Sequence, residues 1–155
     1  MLDLSAPAPA QLHSIPQPLV LKDGRGDPLG GADAPVTLQV VGCYSDQYVT
    51  AQRGLAIQAL IRSSRPEESV ADRLKHHDSG LDVIVACVVG WKNVLSGGDP
   101  APCTPENVRA LLKGYPFARD QLELFIHTDR NFTQGESLSS STGPGSNSPS
   151  TTPTP

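Results

Sequence analysis

The chain has 155 residues, a net charge of −4 and a sequence pI near 5.4, and its lysines and arginines are scattered. A chain of this length favours one domain. Scattered basic residues on an acidic chain argue against nucleic-acid binding, since phosphate backbones require a concentrated positive surface. No apolar run reaches the roughly 18 residues of a membrane span, and the N-terminus lacks a signal-peptide pattern. We therefore expect a cytoplasmic protein that does not bind membranes.

Both ends of the chain have compositions that disfavour a packed core. Residues 1–17 are rich in Pro and Ala, and their X-Pro steps favour extended backbone, so we expect a flexible arm. Residues 133–155 are rich in Ser, Thr and Pro and predict a disordered tail. A single folded domain is expected over residues 18–132, with an α+β fold that is mainly helical.

Two short aliphatic runs near the start of this domain predict a β-hairpin. Residues 18–22 read PLVLK and residues 36–42 read VTLQVVG, and the segment between them is dense in Gly and Asp. Aliphatic and β-branched runs that flank such a loop are typical of antiparallel strands. The domain therefore begins with a small hairpin over residues 18–42.

About four helices are predicted between residues 45 and 132. Ser45 is a suitable N-cap for the first helix, and a capping-box spacing near Ser64 starts the second. The apolar run VIVACVVGW predicts that the second helix continues to Trp91, which then plugs the core beneath the returning third helix. Thr104 followed by Pro105 starts that third helix, and Tyr115-Pro116 starts the fourth. The residues expected to build the core are Tyr48, Leu55, Val88, Trp91, Thr104, Leu111 and Phe125.

The cysteines and histidines do not have the spacing of a known catalytic or metal-binding motif. Cys43, Cys87 and Cys103 are odd in number and widely separated, which argues against a disulfide framework or a zinc site. His76 and His77 are adjacent, and neighbouring side chains on a helix diverge by about 100°, so a solvated face is the better interpretation. His13 and His127 have no evident partner, and Cys43 with a histidine as its base has no supporting pattern. We expect no catalytic, cofactor or metal site.

Two segments resemble a known family in the same order along the chain. VTLQVVGCYSDQYVTAQR, residues 36–53, is similar to the strand, Gly, Ser-Asp and Tyr arrangement near the start of tail assembly chaperones of long-tailed bacteriophages. Residues 88–132 are similar to that family's second half, with a Gly-Trp pair, a Gly/Asp loop, Thr-Pro-Glu-Asn, a Leu-Leu helix and a closing Asn-Phe.

The resemblance implies a non-enzymatic protein of the host bacterial cytoplasm. Members of that family bind the tape measure protein while the tail is built, and they are not expected in the mature virion. A longer form made by translational frameshifting recruits the tail tube protein in such systems. The same resemblance leaves a homo-oligomer open.

On each predicted helix, apolar residues that recur every three or four positions are expected to face the core. Some apolar residues of the first and fourth helices lie outside this pattern and are candidates for the partner surface: Val49, Ile57, Ile61 and Leu124. The alternative interpretation is that they are ordinary core or scattered surface residues. At the level of function, the alternatives are a small structural virion protein, such as a head-tail connector or tail completion protein, and a host-directed regulator.

Overall fold

The computed structural model describes residues 4–64, 69–71 and 79–133. Its helices, in chain order, are α1 (Pro9–His13), α2 (Asp46–Ser63), α3 (Ser79–Ala86), α4 (Pro105–Gly114), α5 (Pro116–Ile126) and α6 (Arg130–Thr133). Its strands are β1 (Gln17–Val20), β2 (Thr37–Val40), β3 (Val88–Lys92), β4 (Leu95–Ser96) and β5 (Asp99–Pro100). The expected mixture of helices with a small antiparallel sheet is confirmed.

A three-stranded antiparallel sheet, in the order β1-β2-β3, forms the base of the core. The predicted hairpin is present, since Leu19 of β1 lies opposite Leu38 of β2. Leu38 and Val40 alternate with half-buried neighbours and are completely buried, which is the period of a strand with one face on the core. The core cluster adds buried side chains from α3, α4 and α5 to this face of the central strand.

Local capping chemistry explains where three of the helices begin. The Ser45 hydroxyl accepts a hydrogen bond from the Tyr48 amide and starts α2, as predicted. The Thr104 hydroxyl accepts from the Asn107 amide, and Pro105 occupies the first turn of α4. Pro116 likewise occupies the first turn of α5.

The prediction that Trp91 ends a long helix is wrong. The helix α3 stops at Ala86, the chain turns at Cys87, and Trp91 lies on β3 opposite Leu38. A continuous apolar run suits a buried strand as well as a buried helix, so the pattern did not distinguish the two. The side chain is half-buried, and Trp91 is thus a sheet residue and not the plug of a four-helix cluster.

The chain does return across this tryptophan. Gly97 and Gly98 both have positive φ and form the two-residue turn of the β4–β5 hairpin. The chain then runs to Ala101, whose carbonyl accepts a hydrogen bond of 2.8 Å from the Trp91 Nε1–H. The predicted chain reversal is confirmed, and it satisfies the one polar atom of the indole.

The N-terminal segment is more ordered than its composition suggested. Residues Pro9–His13 form α1 where we expected extended backbone, and His13 is buried. Pro9 stands in the first turn, where a proline costs no hydrogen bond. The Gln11 side chain accepts a hydrogen bond from the Ala8 amide. The start of the second predicted helix, residues 65–68 and 72–78, and the predicted tail from residue 134 lie outside the described residues.

The predicted core residues mostly lie at the margin of the core. Val88 is buried, whereas the six others are half-buried: Tyr48, Leu55, Trp91, Thr104, Leu111 and Phe125. The centre is instead built from aliphatic side chains with almost no exposed surface, which include Leu21, Leu38, Leu81, Leu112, Leu122 and Ile126. Cys87 is completely buried among them and packs as a small hydrophobic residue.

Removing the Thr104 cap tests the capping of α4. The variant Thr104→Ala should lower the free energy of unfolding by about 1 kcal/mol, because the Asn107 amide loses its acceptor. Urea unfolding followed by Trp91 fluorescence measures the change. The control Thr104→Ser keeps the hydroxyl and should lose much less, and equal losses in the two variants would contradict the capping role.

Candidate functional site

The four residues predicted to contact a partner lie in three different places. Ile57 and Ile61 are one turn apart on α2, and their side chains are 57% and 52% exposed. Leu124 lies on α5 and is 72% exposed. Val49 is half-buried in the first half of α2, where it lines a cavity beside His13 and Tyr44. The structure therefore joins only the two isoleucines into one surface.

The C-terminal half of α2 carries an exposed apolar face. Leu60, which the sequence reasoning missed, is 70% exposed and stands three residues after Ile57 and one before Ile61. Side chains three or four residues apart are neighbours on a helix, so Leu60 and Ile61 each lie beside Ile57. None of the residues within Asp46–Ser63 is buried. This helix thus presents three large aliphatic side chains to solvent on adjacent turns.

The charged residues of α2 itself, after its first turn, are all basic. Arg53 and Arg62 flank the three aliphatic residues, and the sequence has no acidic residue between Asp46 and Ser63. Negative charge on a binding partner is therefore favoured next to the apolar face. We call Ile57, Leu60 and Ile61, together with Arg53, which stands four residues before Ile57, the α2 face.

A shallow groove of about 360 Å³ separates Leu124 from the edge strand β1. Gln121 fixes this groove, since its side chain both accepts from the Lys22 amide and donates to the Lys22 carbonyl, at 2.9 and 2.7 Å. The amide side chain thereby continues the hydrogen bonding of the backbone just after β1. Gln121 is half-buried and fastens α5 to the sheet.

A second arrangement surrounds His13, for which the sequence indicated no partner. Its ring is 1% exposed, stacks on Phe132 at 4.6 Å between centroids, and meets Tyr44 edge-on at 4.8 Å. The His13 carbonyl accepts a hydrogen bond of 2.8 Å from the Gly42 amide. The expectation that His13 is an unpartnered residue of a flexible arm is therefore wrong.

Cys43 and Asp129 meet His13 at this corner. The nearest ligating atoms of the three side chains all lie within 4.8 Å of one another, and His13 Nε2 is 3.5 Å from Asp129 Oδ1. A hydrogen bond of 3.2 Å from the Cys43 amide to the Ile126 carbonyl holds the loop against the end of α5. The three residues are far apart in the chain, so no local motif could have indicated this cluster.

The protonation of this cluster disfavours a nucleophilic thiolate. Burial raises the pKa of the Cys43 thiol, and the Asp129 carboxylate raises it further. Burial lowers the pKa of His13 more than the nearby carboxylate raises it. Both groups are therefore held neutral, whereas a cysteine nucleophile needs a lowered pKa and a basic partner.

His127 also has a partner, contrary to the sequence interpretation. Its Nε2 is 3.1 Å from the Tyr48 hydroxyl, and its Nδ1 is 2.9 Å from the Glu123 carbonyl. Since a carbonyl only accepts, Nδ1 carries the proton and the Tyr48 hydroxyl donates to Nε2. This exposed pair joins α2 to the end of α5. His76 and His77 lie outside the described residues.

Comparison of the chain with protein-family models, curated proteins and solved structures finds no match. Within the described residues, no helix has both the length and the apolar character needed to cross a membrane. The resemblance to tail assembly chaperones thus stays a prediction.

Substitution of Gly42 tests whether α1 is seated as described. A Cβ at Gly42 would lie 2.0 Å from His13 Nδ1, so the ring has to move. We expect Gly42→Ala to lower the free energy of unfolding by about 1–3 kcal/mol through overpacking. Chemical denaturation followed by circular dichroism measures this loss.

A matched control is available in α2. An added Cβ at Gly54 meets nothing within 4 Å, and alanine is favoured over glycine inside a helix by about 1 kcal/mol. Gly54→Ala should therefore stabilise the protein. If Gly42→Ala also stabilises it, His13 is not packed against Gly42.

Proposed function

We propose that this protein is a non-enzymatic phage tail assembly chaperone that binds the tape measure protein in the cytoplasm of the host bacterium. The observation that carries the proposal is the α2 face, which leaves three large aliphatic side chains exposed on a well-capped helix. Contiguous exposed apolar residues mark interaction sites more often than isolated ones do. The resemblance over residues 36–53 and 88–132 supplies the identity of the partner.

The chemistry of the α2 face specifies the partner segment. A tape measure protein is a long helical chain, and an amphipathic helix offers an apolar stripe that can pack on Ile57, Leu60 and Ile61. Acidic residues beside that stripe pair with Arg53. Several chaperone copies on one long client gain avidity, so each contact can be small. In a longer frameshifted form, or directly, the protein recruits the tail tube protein.

Co-expression with the tape measure protein tests this proposal. The double variant Ile57→Ser and Ile61→Ser should remove most of the client's soluble yield, because it deletes the apolar contact while α2 keeps its caps. Gln58→Ser is the control, since it changes an exposed residue of the same turn. Solubilisation by the double variant at the wild-type level would contradict the role of this face.

The composition of purified virions separates the chaperone from a structural virion protein. A chaperone leaves the particle, so quantitative mass spectrometry should find far less than one copy per tail. Stoichiometric presence in mature particles would instead favour a head-tail connector or tail completion protein.

A further inference from the structure

Three potential metal ligands converge where the two ends of the described chain meet. His13 ends α1, Cys43 follows β2, and Asp129 precedes α6. One ring nitrogen, the Sγ atom and a carboxylate oxygen lie within 4.8 Å of one another. A single ion at this corner can therefore reach three segments that are distant in the sequence.

The histidine at the centre of this cluster is buried and is held in one orientation. His13 Nδ1 has no accessible surface and no hydrogen-bond partner among the described residues. That nitrogen faces Gly42, where an added Cβ would lie 2.0 Å from it, so the nitrogen available to an ion is Nε2, which lies 3.5 Å from Asp129 Oδ1. The rings of Phe132 and Tyr44 hold the imidazole in place, and the ring is thus ordered before any ligand arrives.

We propose that His13, Cys43 and Asp129 bind one zinc ion or a chemically similar divalent ion. Thiolate sulfur, imidazole nitrogen and carboxylate oxygen form a donor set that suits zinc. In a filled tetrahedral site, such donors are about 3.5 Å apart. His13 Nε2 and Asp129 Oδ1 are already 3.5 Å apart, and the Cys43 side chain, which is only half-buried, has to rotate toward them for the site to fill.

Backbone hydrogen bonds to the Asp129 carbonyl fix the start of α6 at this corner. The Asp129 carbonyl accepts hydrogen bonds from the Phe132 and Thr133 amides, at 2.9 and 3.1 Å. On binding, the Cys43 S–H bond breaks, its proton passes to solvent, and the sulfur forms a bond to the ion. Three protein ligands leave one position for water, and a cavity of about 570 Å³ opens beside the cluster.

Cobalt binding by the purified full chain tests the site directly. Stoichiometric Co²⁺ should give one equivalent of a tetrahedral complex, with a charge-transfer band that reports the sulfur bond, and added Zn²⁺ should displace it. Asp129→Asn should weaken zinc binding at least about tenfold, and Cys43→Ser should abolish the charge-transfer band. Both changes affect residues that are not fully buried, so the variants should fold.

Cys103→Ser is the matched control. Cys103 is half-buried, like Cys43, and is not part of the cluster. The control should bind metal as wild type does. The proposal is overturned if the wild-type chain binds no Co²⁺ at stoichiometric concentration, or if Cys103→Ser loses the band as fully as Cys43→Ser. Unchanged zinc affinity in Asp129→Asn also overturns the three-ligand assignment.

Discussion

The packing of His13 between Gly42 and Phe132 joins the two ends of the described domain. The Gly42 amide donates to the His13 carbonyl, and the ring occupies the space that a side chain at Gly42 would fill. A face of the same ring stacks on Phe132 of α6. The end of the central strand, the N-terminal helix and the last described helix thus share one corner. Because the Ser45 cap of α2 stands three residues after Gly42, the same corner sets where that helix leaves the sheet.

The two ends of α2 consequently have different environments. Its N-terminal half is fixed by the Ser45 cap and by Tyr48, whose hydroxyl contacts His127 at the end of α5. Its C-terminal half projects Ile57, Leu60 and Ile61 into solvent. A helix that is anchored at one end and apolar at the other can meet a client helix without loss of its own fold. The His13 corner belongs to the anchored end, so the zinc proposal and the chaperone proposal concern separate surfaces.

Local signals in the sequence predicted the helix starts, and non-local contacts determined the rest. Ser45, Thr104 with Pro105, and Pro116 act within a few residues, so α2, α4 and α5 could be placed from capping chemistry alone. The uniformly apolar run up to Trp91 lacked a period, and its division into α3 and β3 depends on pairing with β2. The burial of His13 depends on Gly42, Tyr44 and Phe132 together, which no spacing rule connects. Two residues of the α2 face, Ile57 and Ile61, could be predicted because they lie outside the apolar pattern that faces the core. The sequence pattern did not indicate Leu60.

Amide hydrogen exchange at Gly42 is the most direct test of the docking of α1 on the end of β2. The neighbouring Val41 amide donates to the Cys87 carbonyl inside the core, and it is a reference for a fully protected site in the same segment. If α1 is docked as described, the Gly42 amide should exchange as slowly as the Val41 amide, through global unfolding. Exchange at the rate of a solvent-exposed amide, with Val41 still protected, would show that α1 is detached and would contradict the docking of α1 on Gly42.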